Sequence, residues 1–215
     1  MAKKDSWSDE YWLPLIQVFL KKPVGVKPTY SKPLVELAME LHIAPQFLYE
    51  QMFKLRQLET PRMEELWNHY GKNPKKLKRA LELWRQKEGY GHADAFYQGV
   101  EINETWEKDF KPLEKEKSLM PVGLILILDL YFRLTPNTMV EETPEIIELA
   151  KKMKTKPALI VEAMEIYQVC DPYLKKNDSI SSPLSTPCRE IWERFGNKNP
   201  EKLAALAAQM KQFFD

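Results

Sequence analysis

The sequence contains one phrase twice, and this internal repeat constrains the fold more than any other feature. Residues 66–77 read LWNHYGKNPKKL, and residues 191–203 read IWERFGNKNPEKL. Upstream, PLVELAMELHIAPQFLYEQM at 33–52 aligns with EIIELAKKMKTKPALIVEAM at 145–164, and a longer loop in the second half separates the two aligned blocks. A pattern shared across most of each half predicts two tandem copies of one structural unit.

Each copy has the periodicity of α-helices. Prolines stand where helices should begin, as in Asn73-Pro74 and Asn199-Pro200, and Thr143 precedes Pro144 as a capping candidate. Gly71 and Gly196 are expected to be the left-handed residues that end the preceding helices. Apolar residues recur at helical spacing at Leu34, Leu37, Ala38 and Leu41 in the first copy and at Ile146, Leu149, Ala150 and Met153 in the second. The sequence therefore predicts an all-α fold of two tandem helical repeats with helix-turn-helix-like cores and an irregular connector.

The boundaries follow from changes in this pattern. Residues 1–89 form repeat 1, residues 90–117 form the connector, and residues 118–215 form repeat 2 with a Ser-rich loop insertion at 173–185. Within the connector, FYQGVEI at 96–102 could make a short strand. We expect the connector to pack on the repeats through Phe96, Trp106 and Phe110.

Targeting signals and cysteine usage favour a cytoplasmic protein. The N-terminus, MAKKDSWSDEYW, lacks the apolar core of a signal peptide. The most apolar run, Leu119 to Leu128, is far shorter than the roughly 20 residues that cross a bilayer, so it predicts a buried core helix and no membrane partner. Cys170 and Cys188 are expected to be free thiols in a reducing compartment.

Charge is divided unequally between the two halves. Residues 1–90 contain 16 Lys and Arg against 11 Asp and Glu, and residues 91–215 contain 16 against 20, so a net charge of +1 conceals halves of +5 and −4. Affinity for a polyanion, if present, should therefore belong to the first half.

The stretch from Lys72 to Lys87 is the strongest argument for nucleic-acid binding. It contains Glu82 as its one acid, and Leu77, Leu81 and Trp84 form a buried stripe that leaves the cations on the outer faces. The candidate phosphate contacts are Lys72, Lys75, Lys76, Lys78, Arg79 and Arg85. A solvated helix face with no ligand explains the same run of charge. The second copy, NPEKLAALAAQMKQFF, has lost the cluster, and its apolar residues predict burial against copy one or a second subunit.

The helix pair 33–42 and 45–56 resembles a helix-turn-helix, but its outward residues do not favour base reading. DNA recognition needs Arg, Lys, Asn or Gln at the groove. The second helix instead presents Glu50, which would repel phosphates, beside Gln46, Tyr49 and Phe53. These last three are the candidate contacts for a protein partner.

Catalytic chemistry has little support in the sequence. His42, His69 and His92 lack metal-ligand spacing, and neither cysteine stands near a histidine. The acidic residues mostly fall on helix faces opposite the apolar stripe. We therefore predict a non-enzymatic protein with no catalytic residues, no metal and no cofactor.

The second copy resembles a known helical module. LILDLYFRL, TPEIIELAKKM, the Asp171-Pro172 pair and STPCREIWERF are similar to a module found ahead of the nuclease domain in some bacterial HNH endonuclease-type proteins. The resemblance covers most of copy two, and copy one is a more diverged version. It implies an all-helical fold in a DNA-handling context and a bacterial source. The nuclease residues of that family have no counterparts here, so no activity is implied.

Two functions remain open from the sequence. The first is weak association with DNA or RNA through the basic helix of repeat 1. The alternative is a protein–protein interaction or assembly module that binds no nucleic acid. A basic face that continues to Lys21, Lys22, Lys27 and Lys32 would favour the first, and scattered cations beside an exposed apolar patch would favour the second.

Overall fold

A computed structural model describes residues 7–21, 25–87, 105–174 and 180–215. These residues are all-α and contain no β-strand. The strand expected at 96–102, together with Lys22, His92 and Phe96, lies outside the described residues. The chain divides into two compact units, residues 1–102 and 103–215. None of the helices in the described ranges is long and apolar enough to cross a membrane.

The described part of the first unit contains five α-helices, of which the apolar α1 is central. Its described helices are α1 Trp12–Leu20, α2 Lys32–Leu41, α3 Pro45–Gln57, α4 Pro61–Leu66 and α5 Pro74–Arg85, with a π-helical turn at Trp67–Gly71 after α4. Helix α1 buries Leu15 and Ile16 completely and contacts α2, α3, α5 and the π turn. Because α1 touches each of these elements, its aliphatic side chains form the centre of the core.

The second unit has a corresponding order of elements. Its described helices are α6 Thr105–Asp109, α7 Pro121–Tyr131, α8 Pro144–Met153, α9 Pro157–Cys170, α10 Ser185–Ile191 and α11 Pro200–Met210, with a π-helical turn at Trp192–Gly196 after α10. Helix α7 is buried from Val122 through Tyr131 and packs against α9, α10 and α11. This confirms the prediction that the Leu119–Leu128 run belongs to a core helix.

Both helix pairs turn through a left-handed residue that is not glycine. His42 ends α2 at φ 55° and ψ 39°, and Lys154 ends α8 at φ 55° and ψ 41°. In the first unit the Ile43 amide donates to the Ala38 carbonyl at 3.0 Å, and in the second the Thr155 amide donates to Ala150 at 3.0 Å. These hydrogen bonds satisfy carbonyls at the helix ends and offset the steric cost of the left-handed conformation.

The two repeated glycines have a role that differs from the prediction. The left-handed residues among those described are His42, Leu58, Lys154 and Gly25, so Gly71 and Gly196 do not end their helices in that conformation. They are instead covered by tryptophan rings within the π turns. A Cβ added at Gly71 would lie 2.7 Å from the Trp67 ring, and one at Gly196 would lie 2.5 Å from the Trp192 ring. Glycine is required here for close packing rather than for backbone freedom.

Helix starts follow the prolines, with one correction. Pro74 and Pro200 open α5 and α11, and the preceding asparagines cap them: Asn73 accepts from the Lys76 amide at 3.2 Å, and Asn199 from the Glu201 amide at 2.8 Å. Thr143 stands at the start of α8, but its hydroxyl donates to the Thr138 carbonyl and makes no cap for α8.

The C-terminal aromatic residues pack inside their own unit. Helix α11 contacts α7, and Phe213 lies 5.0 Å from Phe110 between ring centroids. Helix α7 and Phe110 supply apolar surface for this segment, and burial against copy one or a second subunit stays a prediction. Part of the Ser-rich insertion is anchored as well, since Ser182 donates to Glu162 on α9.

We predict that Gly71→Ala destabilises the protein by about 1–3 kcal/mol, since the new methyl group must displace the rigid Trp67 ring. The same change in an ordinary helix adds about 0.5–1 kcal/mol of stability. Urea unfolding followed by circular dichroism measures the difference. In a Trp67→Leu background the penalty should disappear, because the ring that causes it is gone; a penalty that persists there would contradict the packing explanation.

The cysteines give a second prediction. Burial raises the pKa of the Cys188 thiol to about 12, and burial also raises the pKa of Cys170, which is half-buried. Only the thiolate reacts, and at pH 8 a pKa of 12 leaves about 0.01% of the thiol ionised, against about a quarter for a free cysteine. We expect Cys188 to be alkylated about 1,000-fold more slowly in the native chain than in urea, as measured by mass spectrometry of time points. Similar rates in the two conditions would contradict the burial.

Candidate nucleic-acid interface

Helix α5 holds the predicted cations on a rigid, amphipathic support. Leu77, Leu81 and Trp84 are buried, and the helix packs against α1 and the π turn. All six candidate residues (Lys72, Lys75, Lys76, Lys78, Arg79 and Arg85) are exposed. The predicted division between buried stripe and outer cations is therefore what the structure shows.

The six cations divide into two groups by their neighbours. Nζ of Lys78 lies 3.9 Å from Oε1 of Glu82. Nε of Arg85 lies 3.6 Å from Oε1 of Glu40 on α2. Lys87, at the end of the run, pairs with Glu10. Carboxylates therefore partly neutralise the C-terminal half of the helix face.

The remaining four cations form a group that we name the basic strip: Lys72, Lys75, Lys76 and Arg79. Lys75, Lys76 and Arg79 lie at helical spacing in the first turns of α5 and share one side of the helix, whereas Lys72 precedes the N-cap Asn73 and lies just outside the helix. Within the described part of the chain, no ion pair involves Lys72, Lys75 or Arg79. Their positive charge is consequently available to an anionic ligand.

Lys76 differs because its ammonium nitrogen lies 3.1 Å from Nε2 of His69 in the π turn. An ammonium group only donates, so the lysine is the donor of any hydrogen bond in this contact. His69 also borders an open groove of about 530 Å3, lined by Arg62, Glu65, Leu66, Asn68, His69 and Tyr70. The sequence analysis did not predict this groove.

In the second unit the corresponding turn is occupied by an internal ion pair. Arg194 donates to both carboxylate oxygens of Asp109, at 2.7 and 2.8 Å, and Asp109 is buried. These hydrogen bonds raise the pKa of the Arg194 guanidinium. The guanidinium also lies 5.0 Å from the centre of the Phe195 ring. The second π turn therefore already contains an anion supplied by α6.

The candidate protein contacts lie together on α3. Gln46 is exposed and donates to Glu50 at 3.4 Å. Tyr49 and Phe53 pack edge to face with centroids 5.4 Å apart, and 41% of Phe53 is exposed. Beyond α5, Lys21 and Lys32 are exposed and Lys27 is half-buried.

The described side chains include no metal cluster, and the pKa shifts of Tyr131, Cys170 and Cys188 do not activate these groups. Groups of three or more His, Cys, Asp or Glu that could hold a metal ion are absent from the described ranges. Burial and a hydrogen bond to Asp171 raise the pKa of Tyr131, and burial raises the pKa of both thiols. These shifts disfavour the reactive anions, which is the opposite of activation.

Comparisons of the chain with models of known protein families, with curated proteins and with solved structures found no match. The resemblance to a helical module of HNH endonuclease-type proteins therefore stays a prediction.

Proposed function

We propose that the two units are tandem copies of one helical module and that the first copy binds nucleic acid without catalysis, through the basic strip. The proposal of a repeat is supported by the order of helices, the left-handed corners at His42 and Lys154, and the tryptophan-on-glycine contacts. The proposal of binding is supported by three exposed cations on one side of α5, Lys75, Lys76 and Arg79, and by the exposed Lys72 just before the helix.

The observation that carries the binding proposal is the lack of acidic partners at Lys72, Lys75 and Arg79 among the described residues. A cation paired with a carboxylate must lose that partner before it meets a phosphate. The basic strip avoids this cost, whereas Lys78 and Arg85 do not. The strip is therefore the part of α5 that phosphates should contact.

The expected affinity is low and independent of sequence. Three or four phosphate contacts correspond to a slope of about −2.7 to −3.6 in a plot of log K against log salt. The strip offers ammonium and guanidinium groups to the backbone, while Gln46 on the helix-turn-helix-like corner is hydrogen-bonded to Glu50. The structure therefore supports contact with the phosphate backbone of DNA or RNA rather than base readout.

A second candidate function is binding of a protein partner through α3. The exposed Phe53 ring and its contact with Tyr49 favour this function, because aromatic side chains contribute much of the energy of protein interfaces. Replacing Phe53 with Ser should weaken such an interface and leave nucleic-acid binding unchanged.

Nucleic-acid binding gives a prediction with a matched control. Lys75→Gln/Arg79→Gln removes two unpaired cations, so we expect the salt slope to fall in magnitude by about 1.8 and binding at about 50 mM salt to drop at least tenfold. Lys78→Gln/Arg85→Gln removes the same charge from the same helix but takes it from carboxylate pairs. In this control the magnitude of the salt slope should fall by less than about half as much as in Lys75→Gln/Arg79→Gln.

Fluorescence anisotropy with labelled mixed-sequence DNA and RNA, titrated over a range of salt, measures both variants. Circular dichroism verifies that each variant keeps its helices. Absence of binding by the unaltered chain at about 50 mM salt, or equal losses in the two double variants, would overturn the proposal.

A further inference from the structure

His69 lies at the edge of the basic strip. It belongs to the π turn Trp67–Gly71, and this turn is followed by Lys72 and then by α5. His69 is exposed, and its Nε2 atom lies 3.1 Å from Nζ of Lys76. Lys76 is a member of the strip. The contact therefore joins a titratable ring to the cations that we propose as the phosphate-binding surface.

The backbone that carries His69 is anchored in the core of its unit. The π turn packs against α1, α4 and α5. The Trp67 ring meets Phe19 of α1 edge to face, with 5.6 Å between centroids, and it also covers Gly71 at the other end of the turn. The turn is thus held on both sides of His69, and the contact of the ring with Lys76 follows from the corner between turn and helix.

The charged groups around His69 come from α4 and α5. On α5 the ammonium of Lys76 is in contact with the ring. On α4, Arg62 and Glu65 line the same groove as His69, and Nη1 of Arg62 lies 3.4 Å from Oε2 of Glu65, so this carboxylate already has a cation. Helix α1 has no charged residue. Within the turn, Tyr70 is also titratable, and its ring packs edge to face on His69 with centroids 5.2 Å apart.

The contact between His69 and Lys76 changes character with the charge of the imidazole. A neutral ring can accept a hydrogen bond from the lysine ammonium through Nε2. A protonated ring has an N–H group at both nitrogens, so it accepts no hydrogen bond and repels the ammonium. An anion that accepts a hydrogen bond from each cation removes this repulsion. Protonation therefore converts a hydrogen-bonded pair into a site for one phosphate.

In the second unit an anion is bound at the aligned position. The alignment of LWNHYG with IWERFG pairs His69 with Arg194. Arg194 is always charged, and it donates to both carboxylate oxygens of Asp109 at 2.7 and 2.8 Å. Histidine, by contrast, is the side chain type that changes charge at about pH 6.5 in water. The first copy thus has a conditional cation where the second has a permanent one.

We propose that His69 and Lys76 together bind one phosphate of the nucleic acid and that His69 takes up a proton from solvent as this phosphate binds. The inference rests on the nucleic-acid binding proposed above and extends it to the regulation of the same site. One phosphate oxygen accepts from Nε2–H of the imidazolium, and another accepts from the ammonium of Lys76. Because the protonated ring binds phosphate and the neutral ring does not, affinity rises as pH falls.

The first measurement is the affinity as a function of pH. Anisotropy of labelled mixed-sequence DNA and RNA is recorded with the full chain at about 50 mM salt, between about pH 6 and about pH 8. We expect the association constant to be about fivefold larger at the lower pH, which is the scale of one exposed charge-assisted hydrogen bond. The charge of a phosphodiester is constant over this range, so the gain comes from the protein.

Two variants assign this gain to His69. His69→Gln removes the titrating ring and keeps His42 and His92, so it reports the pH dependence of the rest of the chain. Its ratio of association constants should fall below about twofold. His69→Arg carries the permanent charge found at Arg194, so its ratio should also be flat. Its affinity at the higher pH should match that of the unaltered chain at the lower pH.

A double-mutant cycle tests whether His69 and Lys76 share one phosphate. At about pH 6 the loss of affinity in His69→Gln/Lys76→Gln should be smaller than the product of the two single losses, because each single variant already weakens the shared contact. His69→Gln/Arg79→Gln is the matched control, since Arg79 lies one turn further along α5. Its two losses should multiply.

Calorimetry in buffers of different ionisation enthalpy counts the protons taken up on binding. The unaltered chain should take up a fraction of one proton per DNA site at about pH 7, and His69→Gln should take up almost none. Circular dichroism at each pH verifies that the variants keep their helices.

Three results would overturn the inference. They are equal pH ratios in the unaltered chain and His69→Gln, single losses that multiply in His69→Gln/Lys76→Gln, and proton uptake that persists in His69→Gln. Each of them leaves nucleic-acid binding by the basic strip in place. Absence of DNA and RNA binding by the unaltered chain at every pH removes the proposed function and this inference with it.

Discussion

The contact between a tryptophan ring and a glycine Cα four residues later is the constraint on which each unit depends. It occurs at Trp67 and Gly71 and again at Trp192 and Gly196. In the first unit the Lys72 amide donates a hydrogen bond to the Trp67 carbonyl, with 3.3 Å between nitrogen and oxygen. This bond between residues five positions apart defines a π turn. The ring fills the space that a side chain at the glycine would need, and the Asn-Pro pair then begins the next helix. The position of α5, and hence of its cations, follows from this turn.

The two π turns have different electrostatic surroundings. In the second unit, Arg194 and Asp109 satisfy one another inside the protein. In the first unit, Lys72, Lys75 and Arg79 are exposed, and no described acid pairs with them. A bidentate ion pair whose carboxylate is buried contributes to order within its own unit, whereas exposed cations contribute little to stability and remain available for binding. The unequal division of charge along the sequence therefore has a local structural counterpart.

The sequence predicted the elements better than it predicted their junctions. Helical periodicity located the buried residues of α2 and α8, and the prolines located the helix starts, because both signals act within a few residues. The role of Gly71 was wrong, since a glycine can serve backbone freedom or close packing and only the position of the Trp67 ring distinguishes them. The left-handed conformation of His42 was not predicted either, because the residue is not a glycine; in the structure the Ile43 amide closes this corner by donating to the Ala38 carbonyl.

The candidate site was predictable in its charges and not in its geometry. Exposure of the six cations followed from the buried stripe at Leu77, Leu81 and Trp84. The division into paired and unpaired cations could not be predicted, since Arg85 pairs with Glu40 on another helix. Likewise, the Asp109–Arg194 pair joins residues 85 positions apart, and no local pattern indicates it.

The π turns also have a geometric consequence. An α-helical turn holds about 3.6 residues, so a turn that closes over five residues advances the chain by roughly one extra position, or about 100° of rotation about the axis. In both units this wider turn is the last of its helix, because Asn73 and Asn199 soon follow as the N-caps of α5 and α11. The extra residue therefore belongs to the corner where the chain leaves one helix axis for the next.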